Sequence, residues 1–176
     1  MIGLAFVSLA ALTGQAQTPA EKPSAPLQAI AVLHPTAGNK VSGTVKFTED
    51  ADGVKVHAEL AGLTPGEHGF HVHEFGDCSA PDASAAGAHF NPTNEPHAGP
   101  DAPDRHVGDM GNVEADASGK AKLEYVDHQI SLTNDQQSVI GRSVVVHMKR
   151  DDLKSQPSGD SGARVACGVI GRAKSE

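Results

Sequence analysis

The chain has 176 residues, a length that suits one domain with a hydrophobic core of its own. Aromatic residues make up 3%, with no Trp, beside 19 Gly and 11 Pro, which argues against a helix bundle and for turn-rich β structure. A formal net charge of -8 opposes non-specific attraction to a phosphate backbone, so no nucleic acid is expected as a partner.

Taken in chain order, Met1 to Leu12 form an apolar run too short to span a bilayer, followed by small residues around Gly14 to Ala16. The run reads as a signal-peptide remnant, although no Lys or Arg precedes it. Thr18 to Pro26, rich in Pro, Ala and Ser, reads as a flexible spacer. Residues 1–26 are therefore expected to lie outside the fold and 27–176 to form the domain, placed in the periplasm or secreted, without stable membrane insertion.

From Leu27 onward, short alternating runs recur between Gly, Asp and Pro turns, as antiparallel strands with one buried face require. Ile30 and Val32 share one face. Val41, Gly43, Val45 and Phe47 repeat the period of two, as do Val54, Val56, Ala58 and Leu60 after Asp52-Gly53. These runs predict a meander. Further strands are expected over Glu67 to Glu74, Gly111 to Asp116, Ala121 to Val126, Ser143 to Met148 and Val165 to Gly171. Eight strands at this length predict an all-β, eight-stranded antiparallel Greek-key β-sandwich or flattened barrel, immunoglobulin-like, with two long functional loops. Those loops are Gly76 to Val107 and Lys149 to Ala163, where Gly, Pro, Asp, Asn and Ser crowd the chain. Cys78 and Cys167 are the only cysteines, and an even pair in an exported chain predicts a disulfide.

Ten histidines are many for this length, and their arrangement says more than their number. His71 and His73 alternate within a strand, so both leave the same face with Cα atoms about 6.5 Å apart. Alone, such a pair is a solvated polar face more often than a metal site. His89, His97, His106 and Asp109 follow, a set of three imidazoles and one carboxylate that suits a closed, structural zinc site. His147 ends the apolar run Val144-Val145-Val146, where a core histidine satisfied by a carbonyl is the plainer reading. Grouped with His71 and His73, it completes an imidazole-only set of the kind that favours copper.

Four segments carry a family resemblance: Gly69-Phe70-His71-Val72-His73-Glu74-Phe75-Gly76-Asp77, Gly87-Ala88-His89-Phe90-Asn91-Pro92, Arg105-His106-Val107-Gly108-Asp109, and Gly162 through Gly171. Together they resemble the signature segments of the copper/zinc superoxide dismutases, in order and spacing, from about Ile30 to Gly171. The resemblance implies one copper and one zinc per subunit. His71, His73, His89 and His147 would hold copper, and His89, His97, His106 and Asp109 zinc, with His89 a bridging imidazolate. It further implies that Asp151 bridges the His71 and His97 imidazoles, and that Arg164 guides the substrate anion beside the copper. His34, His57, His68 and His128 match no ligand position and are expected at the surface or in ordinary hydrogen bonds.

The implied activity is dismutation of superoxide to dioxygen and hydrogen peroxide, with His89 relaying a proton. Two departures stand out. The segment between His147 and Arg164 is shorter than in the familiar eukaryotic members, with Pro157 where those often carry a steering lysine, a role left to Lys154 or to a weaker field. Cys78 follows Gly76-Asp77 directly, which is closer to bacterial periplasmic or secreted members. A homodimer is compatible with the resemblance, which does not fix its interface. Intact His147, His89 and Arg164 argue against a copper-storage or copper-delivery protein on this scaffold, and an adhesion module would leave seven ligand-type residues unexplained.

Overall fold

The computed structural model describes residues 25–133 and 135–174; the apolar run Met1 to Leu12, and the spacer as far as residue 24, lie outside the described residues. Eight strands form where the alternating runs predict them: β1 (Gln28–Pro35), β2 (Ser42–Asp50), β3 (Gly53–Ala61), β4 (Gly66–His73), β5 (Asp109–Ala115), β6 (Lys120–Asp127), β7 (Ser143–His147) and β8 (Arg164–Arg172). They close into an antiparallel barrel in the order β1-β2-β3-β6-β5-β4-β7-β8. The first three strands form the expected meander, Ala31 pairing Val45 and Val45 pairing Ala58.

Burial follows the pleat. Val45 and Phe47 on β2, Val54, Val56, Ala58 and Leu60 on β3, and Phe70 and Val72 on β4 all point into one apolar core. On β1 the buried set is Ala29, Ala31 and Leu33, so Ile30 and Val32 share the outer face rather than the core face. Small residues suffice inside β1, where Ala29 pairs with the large Phe47 of the neighbouring β2. Leu63, Ile130, Leu132 and Val139, all outside the strands, complete the core.

The long connections are 74–108 between β4 and β5, the first connection, 148–163 between β7 and β8, the second connection, and 128–142 between β6 and β7. The first contains a single 3-10 turn, Ser84–Ala86, which the sequence reading missed in a region otherwise correctly read as loop. Cys78 and Cys167 form a disulfide, Cα to Cα 5.7 Å, that ties this connection to β8. Beneath it Ala83, Ala86 and Val145 pack as a small second cluster on the outer face of the sheet. No helix among the described residues is long and apolar enough to cross a membrane.

Candidate metal centre

The C-terminal half of β4 is buried on both faces: Phe70 and Val72 face the core, while His71 and His73 face outward beneath the two connections. β7 repeats the arrangement beside it, with Val144 and Val146 inward and Val145 and His147 outward. The first connection is stitched to the end of β4 by Phe90 N to Val72 O and Glu74 N to Ala88 O, both 2.9 Å, which brings His89 opposite His73. Gly108 N donates to Phe90 O and Val72 N to Gly108 O, which carries His106 and Asp109 to the same end. Gly108 is required there, because a Cβ would collide with the Val72 carbonyl.

Two groups result, His71, His73, His89 and His147, and His89, His97, His106 and Asp109, all buried, with the possible ligand atoms of each group within 4.8 Å of one another. His89 belongs to both. Hydrogen bonds fix which ring nitrogen each side chain can offer. Nδ1 of His73 lies 3.0 Å from Gly87 O, and Nδ1 of His147 lies 3.1 Å from Gly162 O. A carbonyl only accepts, so both Nδ1 atoms carry the proton and both Nε2 atoms present lone pairs. Those two Nε2 atoms face each other at 3.3 Å. His71 Nε2 donates to Asp151 Oδ2 at 2.7 Å and His97 Nε2 to Asp151 Oδ1 at 3.0 Å, which turns Nδ1 of each inward.

Burial pushes the imidazoles of His73 and His147 well below the usual range, and the neighbouring rings push them further in the same direction. Burial likewise lowers His89 to about 4, with the His71 ring adding to the effect. For His97 burial acts downward but is outweighed by the adjacent carboxylates of Asp109 and Asp151, which hold it at about 9. Burial would raise Asp109, yet its contacts with His106, His89 and His97 hold the carboxyl far below the usual range. The two groups thus differ in charge: neutral nitrogen donors on one side, and a fixed carboxylate on the other.

Nδ1 of His71, Nε2 of His89 and Nδ1 of His97 are buried without a hydrogen-bond partner among the described residues. His97 Nδ1 is 3.0 Å from Asp109 Oδ2 but makes no hydrogen bond to it, so the two atoms face a common point rather than each other. Unpaired buried lone pairs are costly, and converging ones more so, unless a cation lies between them. An all-imidazole set suits copper and a three-imidazole, one-carboxylate set suits zinc, so the donors present fit both metals.

Residues 41–170 match the family model described as copper/zinc superoxide dismutase. The chain belongs to the copper/zinc superoxide dismutase family. A Cu-Zn superoxide dismutase of Paramecium bursaria Chlorella virus 1 is 42% identical, the alignment covering 99% of this chain and 94% of that protein. An extracellular Cu-Zn superoxide dismutase of Brugia pahangi is 44% identical over 81% of this chain and 74% of its own length. Superoxide dismutase A of Xenopus laevis is 46% identical over 82% of this chain and 97% of its own. Among solved structures, that of the clock protein EA4 is 43% identical and superposes with a TM-score of 0.77, covering 87% of this chain and 99% of that one. The enzyme is an oxidoreductase that uses copper and zinc to dismutate superoxide to dioxygen and hydrogen peroxide.

A hollow of about 400 Å³ leads to the centre, lined among others by His73, His89, His147, Pro157 and Arg164. The Arg164 guanidinium is held there by Nη1 donating to Ala83 O and Nη2 to Gly87 O, both 2.6 Å. Among the described lining residues it is the one fixed cation; Lys154 does not line the hollow. His34 and His128 are exposed and His57 half-buried, as expected of residues outside the centre. His68 is buried, with Nδ1 2.9 Å from His147 O and Nε2 2.8 Å from Thr64 O. Asn112, which the sequence reading did not single out, accepts from Asp151 N at 2.7 Å and donates to Asp151 O at 2.9 Å. No sequence signal marks these two, because each reaches a backbone atom of a segment far away in the chain, His147 for His68 and Asp151 for Asn112.

Proposed function

We propose that His71, His73, His89 and His147 hold the copper and that His89, His97, His106 and Asp109 hold the zinc, His89 offering one nitrogen to each. The observation that carries this assignment is the convergence of buried ligand atoms, His73 Nε2 against His147 Nε2 at 3.3 Å, His97 Nδ1 against Asp109 Oδ2 at 3.0 Å, and His71 Nδ1 and His89 Nε2 without a hydrogen-bond partner among the described residues. Bound copper supplies a one-electron redox couple, and bound zinc a fixed positive charge.

The chain's own groups do the rest. Two superoxide anions and two protons become dioxygen and hydrogen peroxide. His89 Nε2, buried and otherwise unpaired, takes up a proton in one half of the cycle and returns it in the other. Asp151, fully buried, orients the His71 and His97 rings at once, so the two halves of the site share one anchor. Arg164 draws the anion inward and, with both forks tied to carbonyls, stays beside the His73 and His147 rings.

The test is metal analysis of the purified enzyme with a superoxide-consumption assay, repeated on His147→Ala. The variant should lose copper and activity and keep zinc. Full activity in a copper-free wild type would refute the assignment.

We further propose that residues 27–176 are the dismutase domain, that 1–26 are export signal and spacer, and that the enzyme is a periplasmic or secreted protein of bacterial type. The Cys78–Cys167 disulfide and the apolar N-terminal run support export, and the position of Cys78 and the short second loop support the bacterial type. Cell fractionation with N-terminal sequencing of the exported protein tests this; recovery of uncleaved protein in the cytoplasm would refute it. A homodimer is supported by exposed apolar residues gathered on one outer face, Val32 at 49% exposure, Val169 at 45% and Phe75 at 52%. Val32 and Val169 line one hollow, and Gly76, next to Phe75, packs near Val169. Light scattering should give twice the mass of one chain for the wild type and half that value for Phe75→Glu.

A further inference from the structure

The second connection, 148–163, does more than supply Asp151. Five residues beyond it, Gln156 meets the backbone of His97 with both ends of its amide: His97 N donates to Oε1 at 2.8 Å, and Nε2 donates to His97 O at 2.8 Å. Nε2 also donates to Lys154 O at 3.2 Å, which fixes the side chain to its own loop. One amide therefore satisfies both backbone groups of a residue 59 positions away, in the manner of one rung of an antiparallel ladder. The ring of the same histidine is held by Asp151.

Gly159 completes the arrangement. It sits at φ 64°, and a Cβ there would collide with Asp151 Oδ1 and His97 Nε2, so the backbone of this loop lies directly on that hydrogen bond. His97 is thus held by one short loop at its ring, its N–H and its carbonyl. The other three members of its group lie on or beside segments bonded to β4, whereas His97 stands in the middle of the first connection, outside any strand.

We infer that Gln156 is a positioning residue for the zinc half of the site, setting how firmly His97 Nδ1 is presented to the ion. This rests on the assignment of His97 to zinc proposed above. A backbone clamp of this kind acts on metal retention more than on folding, because it orders one ligand without joining the core. Loss of a group that orients a metal ligand weakens binding by about 10–100-fold, and an exposed clamp belongs at the lower end of that range.

The experiment uses the copper- and zinc-loaded enzyme and follows zinc transfer to a chromogenic chelator, together with the visible spectrum of cobalt placed in the zinc site. Gln156→Ala should release zinc about tenfold faster and shift the cobalt bands, with copper content and thermal midpoint near those of the wild type. Gln156→Glu, which keeps the acceptor and loses the donor, should fall between. Gln136→Ala removes an amide whose side-chain bond among the described residues is to Pro92 O in the same connection, and should leave zinc release unchanged. His97→Ala separates the two claims. If it retains zinc like the wild type, the ligand assignment fails. If it loses zinc while Gln156→Ala matches the wild type in release rate and cobalt spectrum, the clamp is refuted alone. Equal acceleration by Gln136→Ala also overturns it, since the effect would then be general loosening of the loop.

Discussion

Arg105 carries its charge into the protein at 2% exposure, which is tolerable only because every face of the guanidinium has a partner. It meets both carboxylate oxygens of Asp127 at 2.9 Å and donates to the carbonyls of Pro100, His106 and Val107. Tyr125 Oη donates to the same carboxylate. Arg105→Ala would leave the buried Asp127 carboxylate without its counter-ion, and should cost about 3–5 kcal/mol, seen as a fall in thermal midpoint of about 10 °C. Because two of the carbonyls released belong to His106 and its neighbour, zinc content should fall in the same variant. At this scale the sequence was readable where the residue type is itself the signal. Histidines in alternation or beside an aspartate announce their chemistry. His68, Asn112 and Gln156 announce nothing, since each works through one or two backbone atoms 39 to 79 residues away that only the fold brings close.

Between strands and loops the disulfide has the largest leverage. Cys78 and Cys167 are 89 residues apart, and closing a loop of that size restricts the unfolded chain by about 4–5 kcal/mol in the loop-entropy model. The same bond holds the segment that supplies Ala83 O and Gly87 O to Arg164, so it also fixes the mouth of the hollow. Treatment with a thiol reductant, or Cys78→Ser with Cys167→Ser, should lower the thermal midpoint by about 10 °C or more and reduce activity even where the fold persists. An unchanged midpoint after verified reduction would contradict this. The strands were legible because a one-sided sheet writes its period of two into the sequence, and their ends fall within about two residues of expectation. The inner face of β1 was harder to read, since its core residues are Ala29, Ala31 and Leu33 while the larger Ile30 and Val32 face out. Size alone misleads where the neighbouring strand already fills the core with phenylalanine.

Over the whole molecule the field is negative, -8 in formal charge, while the substrate is an anion. In the role proposed for it Arg164 would counter that field locally, with Pro157 in the hollow where a second cation could have stood. Arg164→Glu should slow superoxide consumption by about tenfold or more at low salt, and the rate of the wild type should fall as ionic strength rises while that of the variant rises or stays flat. Equal rates for the two proteins at low salt would remove Arg164 from the account. The fold class was legible from strand count and turn spacing, the flattened barrel being one of the two forms expected; what no local pattern encodes is the pairing of β1 with β8, from opposite ends of the domain, whereas β5 and β6 are joined by a short turn.

Those two closures are unequal. β1 and β8 share five registered positions, whereas β5 and β6 share one, Ala115 with Ala121. Each of that second pair is well bonded on its far side, β6 to β3 and β5 to β4. The cylinder therefore has a seam, closed by the Ala115–Ala121 pair, the Asp116 N to Lys120 O bond and the short turn between them, and thermal opening should start away from that turn, parting two four-stranded halves like a hinged case. Amide deuterium exchange should be fastest along the inner margins of β5 and β6, and a chain caught in that open form would present two bare strand borders able to recruit a neighbour.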